Sequence, residues 1–272
     1  MFPSINGWTF AADMPVAQAA GLARTAGFAG FEPTLNSAGE LTPTTDEATC
    51  RRIGDDIRAA GLRVVSLASA LFWQTHYTHP DAAVRQAAIE LTIACLDRAR
   101  WIGADCLLVV PGVVRRDKEP RRLVCGYADA LNWSYDALRQ LMPEAERRGV
   151  VIALENVWNG FLLSPVELCD LIDRINSPWI GAYFDVGNVL KFGMPEDWIR
   201  TLGPRIARVH VKDFNVAVGT AAGFVPPGDG DADWPAILAA LREVGYNGPL
   251  TVEGPGDPAD LYRRIDTILR NS

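Results

Sequence analysis

The chain has 272 residues, with 26 Lys and Arg against 33 Asp and Glu, a formal charge of -7. Hydrophobic residues make up 49% and charged residues 22%, a globular balance that excludes disorder and collagen-like repeats, while the net acidity disfavours a nucleic-acid partner. The longest apolar stretch, residues 106–114, is interrupted by Pro111 and Gly112; it is far shorter than the roughly 20 residues of a bilayer span, so no membrane partner is expected.

Short apolar runs alternate with longer segments of helical periodicity. In chain order, strands are predicted at 4–7, 30–32, 64–68, 106–110, 150–154, 180–184, 206–209 and 249–252. The first two are placed by the rhythm of the whole rather than by their own composition. Helices are predicted at 15–26, 45–60, 81–102, 126–148, 165–175, 195–202, 234–244 and 258–270. Gly27, Gly61, Gly103, Gly149 and Gly245 each follow a helical segment, where a positive φ is wanted. Ser164-Pro165, Met194-Pro195 and Asp257-Pro258 read as helix starts with Pro in the first turn. Eight strand–helix units in 272 residues give 34 residues per unit. Such alternation implies a parallel sheet, and eight units without a Gly-rich dinucleotide turn predict an α/β (β/α)8 TIM barrel spanning 1–272 as one domain. Five scattered cysteines form no Cys-x-x-Cys pair. With an N-terminus that has no basic flank before an apolar run, they predict a reduced, cytoplasmic protein without a thiolate zinc site.

In such a barrel the reactive groups come from the C-terminal ends of strands. Glu155, Asp185, His210 and Glu253 follow four successive apolar runs. Three carboxylates at one barrel mouth repel one another, and a divalent cation removes the conflict. Oxygen-rich ligation with one imidazole suits Mn²⁺, Mg²⁺ or Co²⁺ better than a structural thiolate zinc; one divalent ion is expected, Mn²⁺ first, with Mg²⁺, Co²⁺ and Zn²⁺ as alternatives. Each residue could also be an isolated strand-end polar group held by local hydrogen bonds.

The strings LENVWN (154–159), YFDVGN (183–188), RVHVKDF (208–214), GDGDADWP (228–235) and TVEGP (251–255) resemble the sugar phosphate isomerase/epimerase family, which has a xylose isomerase-like TIM barrel. The resemblance implies one catalytic divalent metal on Glu155, Asp185, His210 and Glu253, with Glu155 and Glu253 as the proton-moving pair. It implies an isomerase or epimerase of a sugar, sugar phosphate or related polyol ketone, working through a metal-held enediolate. Two features depart from the ketohexose epimerases of this family. Asn188 stands where a His is common, and 214–227 lacks the expected substrate-holding Arg. A dehydratase of an inosose-type substrate and a non-catalytic sugar-binding protein are the alternatives on the same barrel. A DNA-repair endonuclease is disfavoured by a total of three histidines. Self-association into a homo-oligomer is left open.

Other residues carry weaker expectations. Lys212 shares the His210 face of its strand and would bind a phosphate, polarise a carbonyl or pair with a carboxylate. Asn188 would hydrogen-bond a substrate hydroxyl. His76 would reach substrate from the loop after the third strand, whereas His79 reads as solvated. Trp158 is the best candidate for an aromatic wall, ahead of Trp8, Phe72 and Trp73. Glu32 would line the pocket or cap a loop, and Asp213 would face away. Residues 219–228 could form a loop over the site. Arg115, Arg116 and Lys118 could steer an anionic substrate. Residues 228–233 read as a turn plus helix cap rather than a calcium loop, because Trp234 and Ala240 stand where Gly and Glu are needed.

Overall fold

The computed structural model describes residues 1–116 and 119–271. Eight parallel strands form its central sheet: β1 (Phe2–Asn6), β2 (Gly30–Glu32), β3 (Arg63–Val64), β4 (Cys106–Val109), β5 (Val151–Glu155), β6 (Ile180–Asp185), β7 (Ile206–Val211) and β8 (Pro249–Val252). Neighbours follow chain order, and β8 pairs back onto β1 with Thr251 opposite Ser4. The remaining gap closes where Leu67, just past β3, bridges Leu107 of β4. The Leu67 N–H donates to Cys106 O and the Leu108 N–H to Leu67 O, both at 2.9 Å. The sheet is thus a closed (β/α)8 barrel, as the alternation predicts.

Eight helices wrap it: α1 (Val16–Ala26), α2 (Glu47–Ala59), α3 (Ala82–Ile102), α4 (Tyr127–Arg148), α5 (Pro165–Ile175), α6 (Pro195–Leu202), α7 (Trp234–Glu243) and α8 (Pro258–Arg270). Their ends follow the expected chemistry. Ser164 and Glu167 form a reciprocal capping box on α5, and Asp257 accepts from the Asp260 N–H at the start of α8. Gly27, Gly103 and Gly149 end α1, α3 and α4 in the left-handed region. The predicted ends of several helices shift by one or two residues. Asp46 and Asp81, for example, stand outside α2 and α3 as their caps.

Strand alternation sorts the side chains into two sets. Ile5, Phe31, Leu107, Ile152, Leu154, Phe184, Val209 and Val252 join the large core between sheet and helices. Cys106, Leu108, Ala153 and Tyr183, with Ala68 just past β3, make a separate, small apolar cluster. Ser4, Asn6, Glu32, Ser66, Asp185, His210 and Thr251 are buried polar residues. Those on strands alternate with the helix-facing set, as do Cys106, Leu108, Ala153 and Tyr183, so the barrel interior holds buried polar groups beside a small apolar cluster. At its N-terminal end Arg208 donates to Val65 O and Ala207 O, each at 2.7 Å, and pairs with Asp105.

Additional elements sit among the loops that follow the strands. Thr34–Leu35 pairs with Ala68–Ser69, and Asp213–Phe214 pairs antiparallel with Phe224–Val225. Arg115–Arg116 pairs with Glu119–Leu123. A single helical turn, Val186–Val189, follows β6 directly. Among the described residues, no helix is long and apolar enough to cross a membrane.

Candidate metal centre and its cavity

Glu155, Asp185 and His210 occupy the C-terminal ends of β5, β6 and β7. Glu253 follows β8, and its N–H still donates to Val211 O at 3.1 Å. A register shift in the β6–β7 ladder between Ala182 and Tyr183 brings Asp185 opposite His210. Asn156 then clamps Asp185 through its backbone: Oδ1 accepts from the Asp185 N–H at 2.8 Å, and Nδ2 donates to Asp185 O at 2.9 Å. Asp185 Oδ1 accepts the Asn188 N–H at 2.7 Å and so caps the turn after β6. Gly187 is required in that turn, because a Cβ there would stand 2.6 Å from Lys212 Cγ.

The four predicted ligands converge. His210 Nδ1 lies 3.2 Å from Glu155 Oε1, 3.5 Å from Glu253 Oε2 and 3.9 Å from Asp185 Oδ2. One ligand atom from each of the four lies within 4.8 Å of all the others. Oxygen and nitrogen ligands on opposite sides of a divalent ion stand about 4–5 Å apart, so the set fits a single ion. Asp185 Oδ2 is buried and makes no hydrogen bond, although Lys212 Nζ is 3.0 Å away. An oxygen without a hydrogen-bond donor, beside two further carboxylates and an imidazole, is a donor set that suits a hard cation.

The charges show the same need. Burial pushes Asp185 up to about 7, with Glu253 and Glu155 adding to it against the pull of Lys212. Burial also raises Glu155. Burial acts on Glu253 in the same sense, but Lys212 and His210 outweigh it and hold that carboxyl at about 2. Burial opposes charge on His210, yet Glu32 and Glu253 push its pKa well up. Lys212 is likewise held protonated by Asp185 and Glu253 against burial, with Nζ 2.5 Å from Glu253 Oε2. Three carboxylates are thus balanced here by His210 and Lys212.

Above the cluster opens a cavity of about 600 Å³, with Glu155, Glu253, Lys212, Asn188 and Trp158 among its walls. Asp185 and His210 have no exposed side-chain surface, whereas Glu155 keeps 7% and Glu253 17%. Of the four predicted ligands, Glu155 and Glu253 are therefore the two that a molecule in the cavity can touch. The Trp158 ring packs on Phe224 at 4.7 Å and edge-on to Phe214 at 5.2 Å, and its Nε1 donates to Asn188 O at 2.9 Å. Asn188 Nδ2 donates to Asn156 O at 2.9 Å. Trp8 and Trp73 also line the cavity, whereas Phe72 belongs to the core. Ala221 and Phe224 bring the 219–228 loop over it.

His76 does not line this cavity. The turn Ala70–Trp73 after β3 turns Trp73 toward it instead. The His76 ring is buried, with Nδ1 3.0 Å from Thr78 Oγ1, and borders a separate hollow. Arg116 borders both spaces and donates to Trp73 O at 2.8 Å. Lys118 lies outside the described residues. Asp213 is buried and accepts from the N–H groups of Gly228 and Ala232 and from Trp234 Nε1, at 3.0, 3.1 and 3.0 Å. It ties down the 228–233 turn, whose last residue, Asp233, caps α7.

Glu32 neither lines the cavity nor caps a loop. It lies fully buried beneath the cluster, with Oε2 2.7 Å from His210 Nε2. Asn156, Tyr183 and Ser66 were not anticipated in the sequence. Tyr183 was findable, because two residues before Asp185 is the same face of β6.

Fold and cluster together define a TIM barrel whose strand ends carry three carboxylates and an imidazole around one point. The chain matches the xylose isomerase-like TIM barrel over residues 20–270 and belongs to that family. It is 26% identical over 182 residues to an uncharacterised protein of Methanocaldococcus jannaschii, covering 63% of this chain and 59% of that one. It is 25% identical over 235 residues to an L-ribulose-5-phosphate 3-epimerase of Salmonella paratyphi C, covering 85% of this chain and 79% of that enzyme. Among solved structures, a D-psicose 3-epimerase superposes with a TM-score of 0.80 at 15% identity, covering 100% of this chain and 98% of the other.

Proposed function

We propose that the chain is a divalent-metal-dependent epimerase or isomerase of a sugar, a sugar phosphate or a related polyol ketone. The observation that carries this reading is the convergence of Glu155, Asp185, His210 and Glu253 on one point at the floor of a sugar-sized cavity. The L-ribulose-5-phosphate 3-epimerase relative supports a ketose substrate. Those four residues would hold one ion, Mn²⁺ by preference, and a bound ion would supply Lewis acidity to a carbonyl and its neighbouring hydroxyl.

The chain's own groups account for the rest of the reaction. Glu155 and Glu253, the two ligands reachable from the cavity, act as the acid–base pair. One takes the proton from the carbon beside the carbonyl, and the other returns a proton to the opposite face. Return to the same carbon is epimerisation. Return to the adjacent carbon, with a proton moved between oxygens, is isomerisation. Lys212 has three N–H donors and gives one to Glu253, and its charge faces Asp185 Oδ2 at 3.0 Å, so a donor is left for a substrate oxygen. Trp158 and Asn188 stand side by side on the wall that a sugar would meet. Arg116, at the edge of the cavity, is placed to meet a phosphate.

The test is metal content by plasma mass spectrometry, on protein purified without chelator or metal affinity. About one equivalent is expected in the wild type, with less in Glu253→Gln and His210→Ala. Ketoses screened in D₂O should then take up deuterium at carbon. No metal in the wild type, even after soaking with Mn²⁺ or Mg²⁺, would leave a sugar-binding protein on the same barrel. Water loss from an inosose would make it a dehydratase.

A further inference from the structure

We infer that Glu32 is a positioning residue that fixes the tautomer of His210, leaving the Nδ1 lone pair for a metal ion, and that it seats the Trp8 wall of the cavity through Asn6. The inference rests on the metal-dependent reading above and centres on a residue of β2, a strand that pairs with none of those carrying the four ligands.

Glu32 ends β2 and has no exposed surface. Its carboxylate accepts from donors on or beside four other strands. Oε2 takes His210 Nε2 at 2.7 Å and Asn6 Nδ2 at 2.5 Å. Oε1 takes Ser66 Oγ at 2.5 Å and Tyr183 OH at 2.7 Å. An ionised carboxylate offers about four acceptor sites and no donor, so this one is saturated. Each neighbour must therefore present a hydrogen. For His210 that places the proton on Nε2 and turns Nδ1 toward Glu155, Asp185 and Glu253. The Tyr183 ring, 4.4 Å from the His210 ring, braces the imidazole from the side.

The same carboxylate sets the orientation of Asn6. With Nδ2 given to Glu32, the amide oxygen faces the other way and accepts the Trp8 N–H at 2.6 Å. That bond caps the turn Gly7–Thr9 and holds Trp8 where it lines the cavity. A metal ligand and a pocket wall thus hang from one buried group.

Titration calorimetry with Mn²⁺ on metal-free wild type, Glu32→Gln and Ser66→Ala tests this. Gln keeps the size but puts an N–H₂ among donors. Its Mn²⁺ affinity should fall about 10- to 100-fold. Ser66→Ala, which removes one Oε1 donor and leaves the His210 contact, should stay within a few-fold of wild type. The second readout needs no variant. The chain has three histidines, so long-range ¹H–¹⁵N spectra of the Zn²⁺-loaded protein are simple enough to assign. They should show His210 protonated at Nε2. Wild-type affinity in Glu32→Gln, or a proton on His210 Nδ1 in the loaded protein, would overturn the role of Glu32 while leaving the metal site standing. A wild type that binds no metal would overturn both. If Glu32→Gln does not fold, the tautomer in the wild type decides.

Discussion

The two halves of the barrel contribute unlike things to one site. In the C-terminal half, β5 to β8 end in or are followed by Glu155, Asp185, His210 and Glu253, which face the point where an ion would sit. In the N-terminal half, β1 and β2 end in Asn6 and Glu32, and Ser66 follows β3. These approach the same point from behind and touch His210 or its partners. The strands differ as well. β2 and β3 have three and two residues, whereas β6 and β7 have six each. Asp185 and His210 thus come from the longest strands, and Glu32 and Ser66 from or beside the shortest. Barrel symmetry does not impose symmetry of role.

That division can be broken experimentally. The largest effect should come from the half that meets substrate. Glu155→Gln should lower turnover of a responsive ketose by about 10²–10⁴. Glu32→Gln, assayed at saturating metal, should lose far less. Equal losses in steady-state kinetics would erase the distinction between the halves.

Metal affinity should follow pH with a definite sign. Asp185, at about 7, and His210, pushed well up, both carry protons at lower pH and must release them to ligate. Mn²⁺ affinity should therefore rise with pH through this range, by up to about tenfold per unit for each proton released. Calorimetry at pH 6 and 8 would show it, and a flat profile would mean that these groups are not the ligands.

Binding to the folded state alone should also stabilise it. At a hundred-fold excess of Mn²⁺ over its dissociation constant the gain is about 2.7 kcal/mol, or several degrees in Tm. His210→Ala should lose most of that shift. The smallest effect is expected at the pocket wall. Trp158→Ala should raise KM by about two- to tenfold, with Mn²⁺ affinity unchanged, because its ring touches the cavity and not the cluster. A loss of metal binding in that variant would mean that wall and cluster are mechanically one unit.

What could be read in the sequence follows the same divide. β5 to β8 announce themselves because an apolar run ends abruptly in a charged side chain. β1 and β2 carry Ser4, Asn6, Gly30 and Glu32 on their inner face, so beyond Phe2 only Ile5 and Phe31 are large and apolar, and the strands show through rhythm alone. The role of Glu32 was illegible for a different reason. It depends on a partner 178 positions away, and no local pattern distinguishes a carboxylate aimed at an imidazole from one aimed at water. His76 was misplaced because loop direction decides which side chain reaches the cavity, and the turn at Ala70–Trp73 gave that place to Trp73. The paired loop segments around Asp213 and Phe224 depend on similar side-chain ties.

Arg208 at the far end of the interior has a consequence of its own. Its guanidinium donates to two backbone carbonyls and pairs with Asp105, stoppering the vessel from below. The cavity is then a cup with a fixed base and a variable rim. New substrates can be accommodated by redrawing the loops above Glu155 and Glu253, while the base that keeps the cup upright stays as it is.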